Sequence, residues 1–222
     1  MLVHIPNVLA RATLADVRTL MEGLTFTEGS ATAGWHARSV KTNRQAAPSP
    51  VLERIQEIVM TALASNDVVR AMVLPHRIVP PLVSLSGTGQ GYGVHVDDAF
   101  VGGASRVRSD VSVTVFLNDP EDYDGGELVV ETLGGADEAK LPAGDAVIYS
   151  STTLHRVAPV SRGERRVAVT WIESRVRDPA YRELLFDLDR ARRAIFETEG
   201  KSATFDLVTK SYSNLLRRWA EG

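Results

Sequence analysis

The chain has 222 residues, of which 44% are hydrophobic and 24% are charged, and its net charge of −3 excludes a generally basic nucleic-acid-binding protein. The absence of cysteine excludes disulfides, thiolate zinc sites, iron–sulfur clusters and cysteine nucleophiles. The sequence shows neither a membrane-spanning apolar run nor a signal-peptide pattern, so we expect a cytoplasmic protein that does not bind membranes.

The first part of the chain, to about Leu74, is predicted to mix short strands with helices. Thr13 begins one predicted helix, which Gly23 ends. Ser49 followed by Pro50 predicts the start of a second helix, because serine is a good N-cap and proline suits the first helical turn. Behind this start, apolar residues recur at helical spacing, at Leu52, Ile55, Ile58, Val59 and Leu63.

From about Arg77 to Arg175 the pattern changes to short β-strands separated by Gly, Pro, Asn and Asp. The predicted strands include Val111 to Leu117, Glu127 to Glu131, Ala146 to Tyr149 and Val167 to Ile172. Many short strands at this spacing indicate a β-sandwich or barrel.

The end of the chain returns to helix. Asp178 and Pro179 predict a helix start, Gly200 predicts its end, and a second amphipathic stretch runs from about Phe205 to Trp219. We therefore divide the chain into a mainly β domain over residues 1–177 and a helical extension over residues 178–222. The predicted helix that begins at Asp178 carries an apolar stripe formed by Leu184, Leu185, Leu188, Ala191 and Ile195. The stripe is most simply a packing surface, and the alternative is a homodimer interface.

The chemistry centres on two histidines and one carboxylate. His95 and Asp97 are two residues apart on a predicted strand, so their side chains project from the same face. His155 opens another predicted strand. Two imidazoles and one carboxylate on one face of a β fold form the facial triad that binds non-haem Fe(II) and leaves adjacent positions open.

Arg165 follows His155 by ten residues and begins a strand after a predicted hairpin turn at 161–164. By alternation it shares the apolar face of this strand, whereas Arg166 faces solvent. A buried arginine needs an anionic partner, and its planar guanidinium suits a carboxylate bound through two hydrogen bonds. The alternative is an arginine at the edge of the sheet in contact with solvent.

An Fe(II)- and 2-oxoglutarate-dependent oxygenase needs this combination. The keto acid chelates iron, its far carboxylate pairs with an arginine such as Arg165, and O₂ takes the remaining position. Two other classes stay open. One is a zinc- or manganese-dependent hydrolase or isomerase on the same three ligands. The other is a non-catalytic jelly roll that senses 2-oxoglutarate or iron.

The sequence also resembles the PKHD-type hydroxylases, which are bacterial relatives of prolyl 4-hydroxylase. The resemblance covers nearly the whole chain and includes residues 5–9, 40–43, 92–97, 123–130, 140–145, 155–163 and 184–189. It implies a double-stranded β-helix, or jelly roll, with its core at about residues 77–175, flanking helices and a helical C-terminal region. By position, His95, Asp97 and His155 match the family's iron ligands, and Arg165 matches its 2-oxoglutarate-binding arginine.

The resemblance implies hydroxylation of a C–H bond, with O₂ and 2-oxoglutarate consumed and succinate and CO₂ released. It also suggests L-ascorbate as the reductant that keeps iron ferrous. The substrate stays open between a peptidyl proline and a small molecule. Where the family usually has an arginine–tyrosine pair before the first histidine, this chain has Leu85 and Ser86. Either Ser86 donates the hydrogen bond to the cosubstrate, or Tyr92 or Tyr149 takes the place of the missing tyrosine.

Several other polar residues are expected to have structural roles. His4, His36 and His76 are predicted to be structural or solvated rather than metal ligands. Asp98 faces away from the ligands by alternation, and Asp110 is predicted to open a core strand. For both aspartates a supporting role beside the metal ligands is left open.

Overall fold

The computed structural model describes residues 2–32, 38–103 and 106–221. The helices are α1 (Arg11–Met21), α2 (Pro50–Ser65), α3 (Asp67–Val73), α4 (Pro179–Glu199) and α5 (Ala203–Trp219). The strands are β1 (Leu2–Ile5), β2 (Phe26–Glu28), β3 (Arg44–Ala46), β4 (Pro75–Ile78), β5 (Leu82–Ser86), β6 (Tyr92–His95), β7 (Phe100–Val101), β8 (Val107–Arg108), β9 (Val111–Phe116), β10 (Tyr123–Gly125), β11 (Leu128–Thr132), β12 (Gly135–Ala139), β13 (Ala146–Ser150), β14 (His155–Val157), β15 (Val160–Gly163) and β16 (Arg165–Ser174).

The strands form two main sheets, as the predicted jelly roll requires. The larger sheet has the order β1-β13-β9-β16-β5-β3-β2, and β4 also pairs with β16. The smaller sheet has the order β12-β11-β14-β6, and β10 pairs separately with β15. Apolar side chains of both sheets meet in one core, for example Phe116 of β9 and Leu128 of β11. The prediction of a jelly-roll core with flanking helices is therefore confirmed.

The central strand β9 shows why the larger sheet is covered on both faces. Its alternate residues Val111, Val113 and Val115 pack in the core shared with α1 and α2. Phe116 belongs to the core between the two sheets, and Ser112 and Thr114 lie on the same face as Phe116 by alternation. The inner face therefore carries polar residues where it borders the pocket described below.

Two N-terminal helices, α1 and α2, agree with the sequence apart from one boundary, whereas α3 was not predicted. Ser49 caps α2 as predicted, since its side chain accepts a hydrogen bond from the backbone N–H of Leu52 at 3.2 Å. The first helix begins at Arg11 and not at Thr13. Its N-cap, Ala10, has no side chain that can accept a hydrogen bond, so the usual sequence signal for a helix start is missing.

The predicted hairpin turn at residues 161–164 is wrong. Residues Val160–Gly163 form β15, which pairs with β10, and β16 begins directly afterwards at Arg165. Gly163 has a φ of +75°, and an added Cβ would lie 2.2 Å from the carbonyl oxygen of Asp122. Glycine therefore permits the close approach that turns the chain from one sheet into the other.

The C-terminal helices form a hairpin that packs beside the jelly roll. Asp178 caps α4 and Gly200 ends it, as predicted. The predicted apolar stripe is only partly correct, because Leu184 is 51% exposed while Leu185 is buried against Val176 and Tyr212. Two polar residues, Arg182 and Asp189, take buried positions on α4, where hydrogen bonds and ion pairs satisfy them. No helix in the described parts of the chain combines the length and apolar character of a membrane span.

Candidate active site

His95 and His155 come together because their strands are neighbours in the smaller sheet. His95 ends β6, His155 begins β14, and the two residues are directly opposite each other in the antiparallel pairing. Asp97 lies just beyond the end of β6, so the expectation that it sits on the strand is wrong. Its Oδ1 atom nevertheless lies 3.8 Å from Nε2 of His155. One ligand atom from each of the three residues lies within 4.8 Å of the other two.

The hydrogen bonds of the two imidazoles orient them for metal binding. Nδ1 of His95 lies 2.8 Å from the carbonyl oxygen of Gly93, and Nδ1 of His155 lies 2.9 Å from that of Thr153. A carbonyl can only accept, so each Nδ1 carries the proton and each Nε2 keeps a lone pair. Burial, reinforced by the neighbouring His155, lowers the pKa of His95 to about 4, so its imidazole is neutral at pH 7. This donor set fits a divalent transition metal.

Asp97 is held by a hydroxyl that the sequence analysis missed. Ser112 of β9 donates from Oγ to Oδ2 of Asp97 at 2.5 Å, and its Oγ also lies 2.7 Å from Oγ of Ser151. Ser112 is 1% exposed. The contact leaves Oδ1, the oxygen nearer His155, available as a ligand. No local motif marks this serine, because it reaches the site only through the pairing of β9 in the larger sheet.

Ser112→Ala is expected to weaken Fe(II) or Zn(II) binding by about tenfold to a hundredfold, because a partner that orients a metal ligand is lost. Competition against a chromophoric chelator measures this affinity. Ser150→Ala is the matched control, since the Ser150 hydroxyl bonds Thr152 at the surface. Equal metal affinity in wild type and Ser112→Ala would remove Ser112 from the site.

The three ligand residues open into a pocket that also contains Arg165. Arg165 begins β16 opposite Ser86 of β5 and is only 3% exposed. Its guanidinium carbon lies 5.6 Å from the centre of the Phe116 ring, and its Nε has no hydrogen-bond partner within the described residues. Burial lowers the pKa of Arg165. A buried guanidinium with an unsatisfied donor is suited to an anionic ligand.

Tyr123 borders Arg165 and was also missed. Both side chains pack against Gly126, where an added Cβ would lie 3.0 Å from Cδ of Arg165 and 3.0 Å from Cε2 of Tyr123. The Tyr123 side chain is fully buried, and its hydroxyl has no hydrogen-bond partner among the described residues. The buried Tyr123 hydroxyl is therefore a neighbour of the Arg165 guanidinium, which lines the pocket. A carboxylate can accept hydrogen bonds from both.

The two tyrosines selected from the sequence both line this pocket. The Tyr92 ring stacks on His95, with centroids 3.6 Å apart and planes inclined by 17°. The Tyr149 ring contacts the His155 ring edge-on, with the two ring centroids 5.0 Å apart. Burial and the Asp97 carboxylate raise the pKa of Tyr149 well above its usual value, so the phenol keeps its proton and can donate. Tyr92 therefore packs against a candidate ligand, and Tyr149 offers a hydrogen-bond donor.

The remaining candidates lie outside the ligand cluster. His4 bonds Asp145 at 2.7 Å, His76 is exposed on β4, and His36 falls outside the described residues. Asp98 is exposed at the rim of the pocket. Asp110 accepts from Arg108 at 2.8 Å and from the backbone N–H of Ser174 at 2.8 Å. These contacts give Asp110 a structural role in joining β8, β9 and β16.

Comparison with known proteins identifies the family of this chain. Residues 81–173 match the 2OG-Fe(II) oxygenase superfamily, and residues 180–221 match the PKHD-type hydroxylase C-terminal domain. A PKHD-type hydroxylase of Synechococcus elongatus is 48% identical over 225 aligned residues that cover 100% of both chains. One from Acaryochloris marina is also 48% identical, again with 100% of both chains covered.

Solved structures share the fold at much lower identity. A prolyl-4-hydroxylase from Pseudomonas putida aligns with a TM-score of 0.52 and 18% identity over 78% of this chain and 92% of that one. A prolyl hydroxylase from Trichoplax adhaerens aligns with a TM-score of 0.56 and 15% identity, over 77% of this chain and 82% of that one. At such identities the likeness concerns the fold.

Proposed function

Since the chain belongs to the PKHD-type hydroxylases of the 2OG-Fe(II) oxygenase superfamily, we propose that it is an Fe(II)- and 2-oxoglutarate-dependent dioxygenase that hydroxylates a C–H bond. One observation carries this proposal: three ligand atoms within 4.8 Å share a pocket with the buried, partly unsatisfied guanidinium of Arg165. A hydrolase or isomerase that used the same metal ligands would give the Arg165 guanidinium no evident role.

The ligand residues would hold the metal from one side. Nε2 of His95, Nε2 of His155 and Oδ1 of Asp97 are the proposed ligand atoms, and their hydrogen-bonded neighbours keep these atoms directed at one point. Iron held by these residues would supply the activation of O₂, by which one oxygen atom would enter the substrate and the other the succinate left when 2-oxoglutarate loses CO₂. The facial arrangement leaves positions for both cosubstrates.

The other pocket residues would bind and orient the cosubstrate. Arg165 is proposed to pair with the carboxylate of 2-oxoglutarate that is far from the metal, and Tyr123 to donate a second hydrogen bond there. Tyr149 contacts His155 in the same pocket and keeps its proton at neutral pH, so it is proposed as a further hydrogen-bond donor. Apolar residues that line the same pocket, Leu128, Val157 and Val169, limit the access of water.

An anaerobic titration tests the proposal. Fe(II) and then 2-oxoglutarate are added to metal-free protein, and the visible charge-transfer band of the chelate is followed. We expect the band to appear with one 2-oxoglutarate per iron. Tight metal binding without a band would favour the hydrolase or isomerase reading. A band without succinate formation in air, with or without candidate substrates, would favour a sensor. Ascorbate, homodimerisation and a cytoplasmic location stay predictions from the sequence.

A further inference from the structure

Three consecutive residues, Arg108, Ser109 and Asp110, lie between the metal ligands and the C-terminal helices. This 108–110 segment lines a cleft whose walls also include Asp97 and Trp219. The side chains of Ser109 and Asp110 are buried. Because buried polar groups in proteins are almost always hydrogen-bonded, the partners of this segment show which parts of the molecule it joins.

Ser109 contacts the turn that carries Asp97. Its Oγ donates to the carbonyl oxygen of Asp98 at 2.5 Å, and its backbone N–H donates to the carbonyl oxygen of Ala99 at 3.1 Å. The pairing of β6 with β14 ends at His95, so this pairing does not hold the backbone of Asp97. Ser109 therefore holds the main chain of the turn just after the metal ligand.

Asp110 contacts the support of the Asp97 side chain. Its carbonyl oxygen accepts from the backbone N–H of Ser151 at 3.2 Å, and the Ser151 hydroxyl lies 2.7 Å from that of Ser112, which binds the Asp97 carboxylate. The Asp110 carboxylate itself accepts from the backbone N–H of Ser174 at 2.8 Å. The main chain and the side chain of Asp97 are thus both linked to the 108–110 segment.

Arg108 extends from the same segment toward the C-terminal helices. Its guanidinium binds the Asp110 carboxylate through two hydrogen bonds of 2.8 and 2.9 Å, and its Nη1 donates to Oε2 of Glu221 at 2.8 Å. Glu221 follows directly after α5 and its C-cap. The start of α4 lies nearby, because the rings of Tyr181 and Trp219 stack with their centroids 4.3 Å apart. Both ends of the helical hairpin therefore meet beside the 108–110 segment.

The contacts differ in their exposure to solvent. The side chains of Arg108 and Asp110 are 16% and 7% exposed, so their ion pair is shielded from solvent. The side chain of Glu221 is 48% exposed, and an ion pair at such a position contributes less because solvent screens it. Loss of the buried Ser109 hydroxyl should therefore affect the metal site more than a change of charge at Glu221.

We propose that Ser109 is a positioning residue for the metal ligand Asp97, and that the C-terminal helices keep Ser109 in place through the contact of Arg108 with Glu221. The proposal rests on the metal site of the function proposed above and is independent of the reaction at that site. Docked helices then favour metal binding, and by linkage bound metal favours the docked helices to the same degree. The C-terminal extension is in this way part of the metal site.

The test measures how tightly the metal-free, full-length protein binds Zn(II), by competition against a chromophoric chelator. Ser109→Ala is expected to weaken Zn(II) binding about threefold to tenfold, the usual contribution of one hydrogen bond. Glu221→Lys, which places a cation beside Arg108 and Arg177, is expected to weaken it about twofold to threefold. With Co(II) as the probe, the visible absorption of the metal should differ between wild type and Ser109→Ala, because it reports the geometry of the ligands.

Matched controls separate this coupling from general effects of substitution. Ser211→Ala changes an exposed serine of α5, and Glu197→Lys changes an exposed glutamate of α4; both residues lie outside the cleft. Both variants should bind Zn(II) as wild type does. Thermal unfolding of the metal-free proteins measures the structural cost of each change, and a merely structural role of Ser109 would lower Tm without changing the Zn(II) affinity.

Two results would overturn the proposal while leaving the metal site intact. Wild-type Zn(II) affinity or a wild-type Co(II) spectrum in folded Ser109→Ala would show that Ser109 does not position Asp97. Wild-type affinity in Glu221→Lys would show that the C-terminal helices do not support the site. Weak Zn(II) binding by the wild type would instead reject the metal site itself, and the proposed function with it. Because Glu221 is half-exposed, Glu221→Lys keeps the proposal testable if Ser109→Ala does not fold.

Discussion

His155→Ala is expected to lower succinate formation from 2-oxoglutarate by at least about a thousandfold and to reduce iron content well below one per chain. The variant keeps His95 and Asp97 but loses the third ligand, and two ligands neither retain Fe(II) nor define the facial geometry. Removal of a group essential to the chemistry typically costs this much or more. Iron is measured after gel filtration, and succinate after a fixed time in air.

His76→Ala is the matched control for this prediction, because His76 is an exposed histidine on β4 outside the pocket. His155 is 4% exposed, so its removal also leaves a small cavity. Thermal unfolding of the metal-free proteins separates this structural cost from the loss of metal. Turnover within about tenfold of wild type in a folded, iron-loaded variant would show that His155 is not a required ligand.

Arg165→Met is expected to weaken 2-oxoglutarate binding by at least about a hundredfold and to leave the metal-free protein as stable as wild type or more stable. The first effect follows because a charged pair with the far carboxylate is lost. The second follows because an apolar side chain of similar length replaces a desolvated guanidinium whose Nε has no partner in the described structure. Titration of the charge-transfer band and urea unfolding measure the two effects.

Arg166→Met is the control at the adjacent position, where the arginine is exposed and paired with Glu164 at 2.9 Å. It should change neither quantity appreciably, since exposed ion pairs contribute little. Tyr123→Phe should weaken 2-oxoglutarate binding by about tenfold, because one neutral donor is lost and the charge is kept. If Arg165→Met unfolds the protein but spares 2-oxoglutarate affinity in the folded fraction, Arg165 has a structural role only.

The candidate metal ligands could be identified from the sequence because residue types and their spacing are enough to indicate metal binding. Few residues can ligate Fe(II), and the chain has no cysteine and only five histidines. Alternation along β16 correctly placed Arg165 on the inner face and Arg166 outside. The expectation for Asp97 was less accurate: it lies beyond the end of β6, and the turn of the chain, rather than the pleat of a strand, brings its carboxylate to His155.

The surroundings of those residues were decided by the tertiary structure. Ser112 of β9 bonds Asp97, and Tyr123 of β10 borders Arg165, yet neither residue carries a local signal in the sequence. Likewise, Arg182 and Asp189 are buried on α4, although the predicted apolar stripe does not include them. Arg182 donates to the carbonyl oxygen of Val176 just before the helix, and Asp189 accepts from Arg193 one helical turn later.

The sequence by itself determined the β character of the middle of the chain, the opposite facing of Arg165 and Arg166, and the residue types able to bind metal and carboxylate. These follow from properties of single residues and from the short repeats of strand and helix. The tertiary structure alone decided which strands lie side by side, and hence which hydroxyls and cations surround the ligands. Sheet pairing joins residues far apart in the chain, and the energy of each contact depends on the burial and partners that this pairing creates.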